Sequence, residues 1–187
     1  MATSTEESAR DKERKQWQDS DAILKEIGLK PGDTFVDIGC GQGFFTIPAA
    51  KIVGGTGKVH ALDISPFVIE TLRERVTQAG FANVDARIGL AERTVLCEAC
   101  ADFVFFGIVM HDFANPKAVL RNARRMLKDS GKLVDLDFKK ISMPFGPPLD
   151  VKISEGEAKE LIESEGLKVK RLRIIEPYSY LLVASLK

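Results

Sequence analysis

Thr34-Phe-Val-Asp-Ile-Gly-Cys-Gly-Gln-Gly-Phe-Phe-Thr46 is the stretch that decides the fold. A β-branched and aromatic run ends at three alternating glycines, Gly39, Gly41 and Gly43, and the apolar period then changes, as where a buried strand turns sharply into a helix. Glycines at such a turn let the backbone take left-handed conformations and let a ligand approach closely. Two features separate the loop from a dinucleotide fingerprint. Asp37 stands two residues before the first glycine, and Phe44 occupies the position where G-x-G-x-x-G needs its third. A carboxylate there repels a pyrophosphate and attracts a ligand that carries an ammonium or a sulfonium.

Lys58-Val-His-Ala-Leu-Asp63 is a second short apolar run ending in an acid, 20 positions beyond Gly43. In doubly wound sheets an acid at the end of the second strand is placed to accept hydrogen bonds from ribose hydroxyls. An ordinary strand–helix turn with one stray acid is the simpler account of the loop alone, but Asp63 arises independently at the right spacing. A nucleoside and a cation in one ligand point to S-adenosylmethionine. Val36-Asp-Ile-Gly-Cys-Gly-Gln-Gly43 and Ala61-Leu-Asp-Ile-Ser65 resemble motif I and its acidic partner in the class I S-adenosylmethionine-dependent methyltransferases. Within these, the chain is most similar to the small-molecule branch typified by the quinone C-methyltransferases. Met110-His-Asp-Phe-Ala-Asn-Pro116 and Met126-Leu-Lys-Asp-Ser-Gly-Lys-Leu133 also have counterparts there, and the resemblance runs from about Ala22 to the C-terminus.

The chain of 187 residues fits one domain, expected over 19–187 behind a polar tail or lid at 1–18. Basic and acidic residues balance at 27 each, so no overall field draws the chain to nucleic acid or to an anionic membrane, and no nucleic-acid partner is expected. No apolar stretch reaches the roughly 20 residues that span a bilayer, and Met1–Lys15 has charges where a signal peptide has its apolar core. A cytoplasmic location is expected. Cys40, Cys97 and Cys100 cannot all pair, so reduced thiols are expected. Cys97-Glu-Ala-Cys100 has metal-type spacing but lacks the second ligand pair that a closed zinc site needs, so no metal is expected.

Asp19 or Ser20 caps a helix carrying Ile23, Leu24 and Ile27; Phe44–Val53 reads as the next helix, and Ser65-Pro66 opens another with Val68, Ile69, Leu72 and Val76 inward. Strands are expected at Asn83–Ile88, at Ala101–Met110, which is nearly continuous in apolar residues and so buried on both faces, and from Gly131 through Phe138. Asn115-Pro116 starts a helix with Val119, Leu120, Ala123, Met126 and Leu127 on one face, and Ser154 with Glu157 has capping-box spacing. Only Glu176-Pro177 separates the last two runs, too short a link for a parallel crossover, so they form an antiparallel hairpin. The resemblance implies an α/β fold, a doubly wound, seven-stranded and mostly parallel sheet of order 3-2-1-4-5-7-6.

From the resemblance, Asp37, Gly39, Cys40, Gly41 and Gly43 hold the methionine part of the cofactor, Asp63 and Ile64 the ribose side, Leu90 and Ala91 the adenine, and Phe106 the methionine end again. Leu90 stands where the family usually has an acid, which leaves the Ala91 backbone and apolar walls for the ring. His111 and Asp112, just past the fourth strand, fall on the acceptor side, His111 as a general base or as an orienting group. His60, inside a strand, reads as structural. Lys139–Val151, with Met143, Pro144, Phe145, Pro147 and Pro148, reads as a stiff apolar lip facing the acceptor, Trp17 as part of a lid or an anchor, and Tyr178 and Tyr180 as last-strand residues.

The resulting expectation is transfer of a methyl group from S-adenosylmethionine to a small or medium acceptor by in-line displacement, giving S-adenosylhomocysteine, with carbon, thiol, arsenical and amine acceptors all open. Two rivals are a cofactor-binding regulatory or scaffold protein without turnover, for which Leu90 and the short lip speak, and a nicotinamide oxidoreductase, against which Asp37 and the terminal hairpin speak.

Overall fold

Asp19 caps the first complete helix: its Oδ1 accepts the Ala22 N–H at 2.9 Å, and α1 (Ser20–Glu26) follows with Ile23 and Leu24 buried. The computed structural model describes residues 14–187, which divide between Gly89 and Leu90 into two units; most of the tail expected at 1–18 therefore lies outside the described residues. In the first unit α1 is followed by β1 (Thr34–Ile38), α2 (Thr46–Val53), β2 (Lys58–Asp63), α3 (Pro66–Gln78) and β3 (Val84–Ile88). The second holds β4 (Ala101–Gly107), a 3₁₀ turn at Met110–Asp112, α4 (Pro116–Met126), β5 (Leu127–Phe138), α5 (Glu155–Ser164), β6 (Leu167–Ile175) and β7 (Ser179–Leu186). The strands take the order β3-β2-β1-β4-β5-β7-β6. Pairing is parallel in β3-β2-β1 and in β4-β5, and antiparallel in β5-β7-β6. That is the mostly parallel sheet with a terminal hairpin that the sequence implies.

The caps read from the sequence are made. Asn115 Oδ1 accepts from Ala118 N at 3.0 Å, and Ser154 and Glu157 exchange side-chain-to-backbone bonds in a capping box. Residues 103–106 of β4 are buried, as their apolar run requires.

Three boundaries differ by two residues or more. β4 stops at Gly107, not Met110, because Ile108 takes φ 62°, outside any strand conformation and strained for a β-branched residue. α2 starts at Thr46, not Phe44, since Gly43 at φ 96° carries the turn two residues further. β5 begins at Leu127, so Gly131 lies inside the strand rather than before it. A Cβ on Gly131 would stand 2.6 Å from the Ala101 carbonyl oxygen, and only glycine admits that approach.

The cysteines differ as well. Cys97 and Cys100 are joined in a disulfide, not held as free thiols, and only Cys40 is free. The tight loop explains it: Ala99 takes φ 46°, its N–H donates to Arg125 O and that of Cys100 to Met126 O, which brings the two Cα atoms to 6.0 Å, within bonding range.

Candidate active site

In the first unit the parallel register sets Ile38 beside Leu62 and Asp63 beside Ile88, so the glycine loop and Asp63 emerge at the carboxyl ends of neighbouring strands, where open α/β sheets bind ligands. The loop is folded onto the end of β2. Gly39 and Cys40 N–H both donate to Leu62 O, at 2.8 and 3.0 Å, Gly43 N–H donates to Cys40 O at 3.1 Å, and Gly41 N–H donates to Asp63 Oδ2 at 3.0 Å. Asp63 Oδ1 takes the Ser65 N–H at 2.9 Å. Each Asp63 oxygen thus spends one of its lone pairs on the backbone and keeps the other, acceptor capacity suited to vicinal hydroxyls. A Cβ on Gly43 would meet Leu72 Cδ1 at 2.5 Å, whereas one on Gly41 would meet nothing within 4 Å among the described residues, so these pack the loop behind Gly43 and leave it open at Gly41.

Asp37 is buried at the base of this loop, and Thr46 Oγ1 donates to its Oδ2 at 2.6 Å. Burial raises the carboxyl to about 6, against the Thr46 hydrogen bond and the Arg14 charge, which lower it. Cys40 turns its side chain into an apolar cluster with Ala61, Ile69, Leu72 and Val76, so in this structure it packs the core, and burial pushes its thiol up. Ile64 and Phe67 are 64% and 74% exposed beside Asp63, and Ile88 is exposed opposite it, an apolar rim fit for a nucleobase. His60 pairs with Asp85 at 3.3 Å across β2 and β3, a structural contact.

Sequence reasoning gave the N-terminal segment little to do, yet Arg14 lies with its guanidinium carbon 4.2 Å from the centre of the Phe44 ring. Its Nε donates to Gln18 Oε1 at 2.6 Å, and Gln18 is buried. Trp17 is half-buried, its backbone N–H donating to Arg14 O.

In the second unit His111 opens out of the 3₁₀ turn against β5. Its Nδ1 lies 2.7 and 3.0 Å from the two oxygens of Asp137, and its own backbone N–H donates to Asp137 Oδ2 at 3.2 Å. The His111 and Asp137 side chains are 5% and 1% exposed. A carboxylate only accepts, so Nδ1 carries the hydrogen and Nε2 is left as the basic nitrogen, 3.6 Å from the exposed Asp112. Burial pushes the imidazole down, but the Asp137 hydrogen bond and charge, helped by Asp112, outweigh it and the net shift is upward. Asp137 was missed in the sequence; the signal was there, because Val134-Asp-Leu-Asp-Phe138 puts two acids into an otherwise apolar strand. The second, Asp135, is fully buried with no hydrogen-bond partner in reach of either oxygen among the described residues, and burial followed by the Asp137 charge drives its carboxyl well above the usual range, against a smaller lowering by Tyr180.

An aromatic series continues from His111 through Phe138, Phe145 and Tyr178, with centroids 6.1, 6.2 and 4.9 Å apart, which brings the Lys139–Val151 lip against this site. Lys152 Nζ anchors the lip on Ile141 O at 2.8 Å. Tyr180 is a core residue, its hydroxyl donating to Ile153 O. Phe106 is buried edge-on against Phe113, Leu90 is exposed, and the Ala91 carbonyl is taken by Asn122 Nδ2 at 2.9 Å. A cavity of about 570 Å³ lined by Lys140, Val151, Ile153 and Leu161 does not reach His111.

A strand-end acid over a folded glycine loop, on a sheet of this order, defines a class I S-adenosylmethionine-dependent methyltransferase, and the residues of the first unit fit the ligand: a buried acid for a cation, Asp63 for hydroxyls, an apolar rim for a base. The chain belongs to the methyltransferase domain family, whose model matches residues 29–172. A crystal structure of an S-adenosylmethionine-dependent methyltransferase from Aquifex aeolicus superposes with a TM-score of 0.89 at 29% identity, covering 96% of this chain and 98% of that one. The ubiquinone/menaquinone biosynthesis C-methyltransferase UbiE of Hydrogenovibrio crunogenus is 33% identical over 118 residues, 63% of this chain and 46% of that protein. A demethylmenaquinone methyltransferase of Bacillus subtilis is 26% identical over 125 residues, 67% of this chain and 53% of that protein. The chain thus spans about half the length of these curated relatives.

Proposed function

We propose that the protein transfers the methyl group of S-adenosylmethionine to a small, hydroxylated aromatic acceptor of the quinol type, with the His111–Asp137 pair serving the acceptor. The observation that carries this is the buried Nδ1–Asp137 hydrogen bond, which leaves Nε2 as a base in a setting of aromatic side chains. The names of the curated relatives, a ubiquinone/menaquinone biosynthesis C-methyltransferase and a demethylmenaquinone methyltransferase, support the acceptor class. Balanced charge supports a small molecule over a polyanion. No helix among the described residues is long and apolar enough to cross a membrane.

When bound, S-adenosylmethionine supplies a methyl group already activated by its sulfonium charge. Asp37 would meet the ammonium, Asp63 the ribose hydroxyls, and Ile64 with the neighbouring apolar rim the base, while Leu90 and Ala91 would serve the adenine and Phe106 the methionine end. His111 Nε2 would accept the acceptor's hydroxyl proton, raising electron density on the ring carbon that takes the methyl, while Asp137 holds the imidazolium; after the transfer, which releases S-adenosylhomocysteine, that carbon's own proton goes to water as the imidazolium returns the hydroxyl proton and the ring regains aromaticity. Phe138, Phe145 and Tyr178 exclude water and keep the ring in place.

The test is to incubate the protein with methyl-labelled S-adenosylmethionine and a panel of reduced quinones, phenols, thiols and amines, and to follow labelled product by mass spectrometry. Label in the quinols, lowered about 10²- to 10⁴-fold in His111→Ala, is expected; label confined to thiols or amines would overturn the acceptor class.

A further inference from the structure

A lysine is almost never buried in a protein unless an anion accompanies it, because taking an ammonium out of water is costly. Lys152 breaks that rule. It is 3% exposed, yet its Nζ makes a single hydrogen bond, donated to the Ile141 carbonyl oxygen at 2.8 Å, and no carboxylate among the described residues pairs with it. The two lysines that open the lip show the usual arrangement: Lys139 pairs with Glu176 at 2.9 Å and Lys140 with Glu157 at 3.0 Å. Burial, with no anion to offset it, pulls the Lys152 ammonium below the ordinary lysine value.

Two observations tie this cation to the His111 side of the molecule. Its charge acts on His111, where it disfavours the imidazolium. It also lines the cavity of about 570 Å³ beside the lip, in company with Val151, Ile153 and Leu161. The acids of that cavity leave it unanswered: Asp150, Glu157 and Glu160 are exposed, and Glu157 is spent on Lys140 and on the Ser154 cap. An ammonium has three N–H donors and no acceptor, so with one on Ile141 two remain, and using them leaves the anchor of the lip in place. Two donors and one positive charge match a carboxylate. A phosphate dianion wants a second cation, and Lys139 and Lys140 are already taken.

We propose that Lys152 is the anion-reading residue of the acceptor site, and that the acceptor is a hydroxylated aromatic acid whose ring hydroxyl meets His111 while its carboxylate takes the two remaining N–H groups of Lys152. This rests on the acceptor assignment made above. The two ends of the ring are then read by opposite chemistry, a base at His111 Nε2 and a cationic donor at Lys152 Nζ. Selection works in both directions: an acidic ring gains the ion pair, and a neutral ring that covers the site leaves the ammonium buried alone.

The experiment is calorimetry on the full chain saturated with S-adenosylhomocysteine, titrated with gentisate, a hydroquinone that carries a carboxylate, and with gentisamide, its neutral amide. Wild type should bind gentisate about 10- to 150-fold more tightly, the worth of a charged hydrogen bond. Lys152→Met keeps the apolar stem and removes the charge, so gentisate should fall to the level of gentisamide, with gentisamide itself unchanged within about threefold, and Lys152→Arg should keep part of the preference. Equal losses for both rings in Lys152→Met, as a mere brace for the lip would give, overturn the inference. So does a wild type that binds both rings alike, a result that depends on no variant folding. Binding of neither ring, by protein that does bind S-adenosylhomocysteine, would instead remove the quinol-type acceptor on which the inference stands.

Discussion

Replacing Asp137 by Asn keeps the shape of the His111 pair and removes its charge. Asp137 accepts from three groups: its Oδ1 from His111 Nδ1 and from Phe138 N–H, at 2.7 Å each, and its Oδ2 from the His111 backbone N–H at 3.2 Å. If Asn keeps its oxygen at the first position, its NH₂ faces the His111 N–H, which is then left without an acceptor, at a cost of roughly 1–3 kcal/mol. For a chain of this size each kcal/mol lowers the melting temperature by roughly 2–4 °C. The imidazolium also exchanges a hydrogen bond to an anion, worth roughly 1.5–3 kcal/mol, for one to a neutral amide, worth about 0.5–1.5, so the pKa of His111 should fall. In wild type its pKa is raised above 6.5, so its stabilising contribution is complete below pH 6.5 and is lost as pH rises through the raised value. In the variant the part of this contribution that the Asp137 charge supplies is lost, so the gain in stability toward low pH should shrink. Only two histidines are present, so NMR titration resolves both, with His60 as the internal control. Turnover should fall about 10²- to 10⁴-fold, with its rising limb shifted to lower pH. An unshifted His111 titration, or a rate loss under about threefold, would refute the dyad.

Asp63→Ala should weaken S-adenosylhomocysteine by about 10- to 150-fold in calorimetry, since it removes the hydroxyl acceptor and also the Gly41 and Ser65 anchors. Asp37 titrates near 6, so cofactor affinity should rise as pH climbs from 5 to 7 and should lose that dependence in Asp37→Asn. The same raised pKa means that the ionised form is disfavoured in the fold: Asp37 contributes most stability below about pH 3.8 and loses it as pH rises through 6, a change of up to about 3 kcal/mol, so unliganded Asp37→Asn should melt higher than wild type at pH 7.5. Alkylation under denaturing, non-reducing conditions should modify one cysteine, and three after reduction; opening the Cys97–Cys100 ring should cost about 2 kcal/mol in thermal melts.

Local chemistry made much of this protein legible from its chain. The strand–glycine–helix switch at 34–46, the acid at the end of β2, the caps at Ser65, Asn115 and Ser154 and the hairpin around Glu176-Pro177 each depend on residues within a few positions of one another, so periodicity and turn residues expose them. Where a backbone carbonyl across the sheet sets the limit, as for Gly131 against Ala101, the boundary shifted. The pairing of Cys97 with Cys100 turned on the left-handed Ala99, a conformation that nothing in Cys-Glu-Ala-Cys signals. The partners of the site residues were decided by tertiary structure alone. His111 meets Asp137 from 26 positions away because the 3₁₀ turn after β4 lies against β5, and Arg14 meets Phe44 because the segment before α1 folds onto the glycine loop. A sequence shows which groups can ionise, donate or accept; which of them is buried beside which, and therefore which proton or charge each one holds, follows only from the packing that removes water around them.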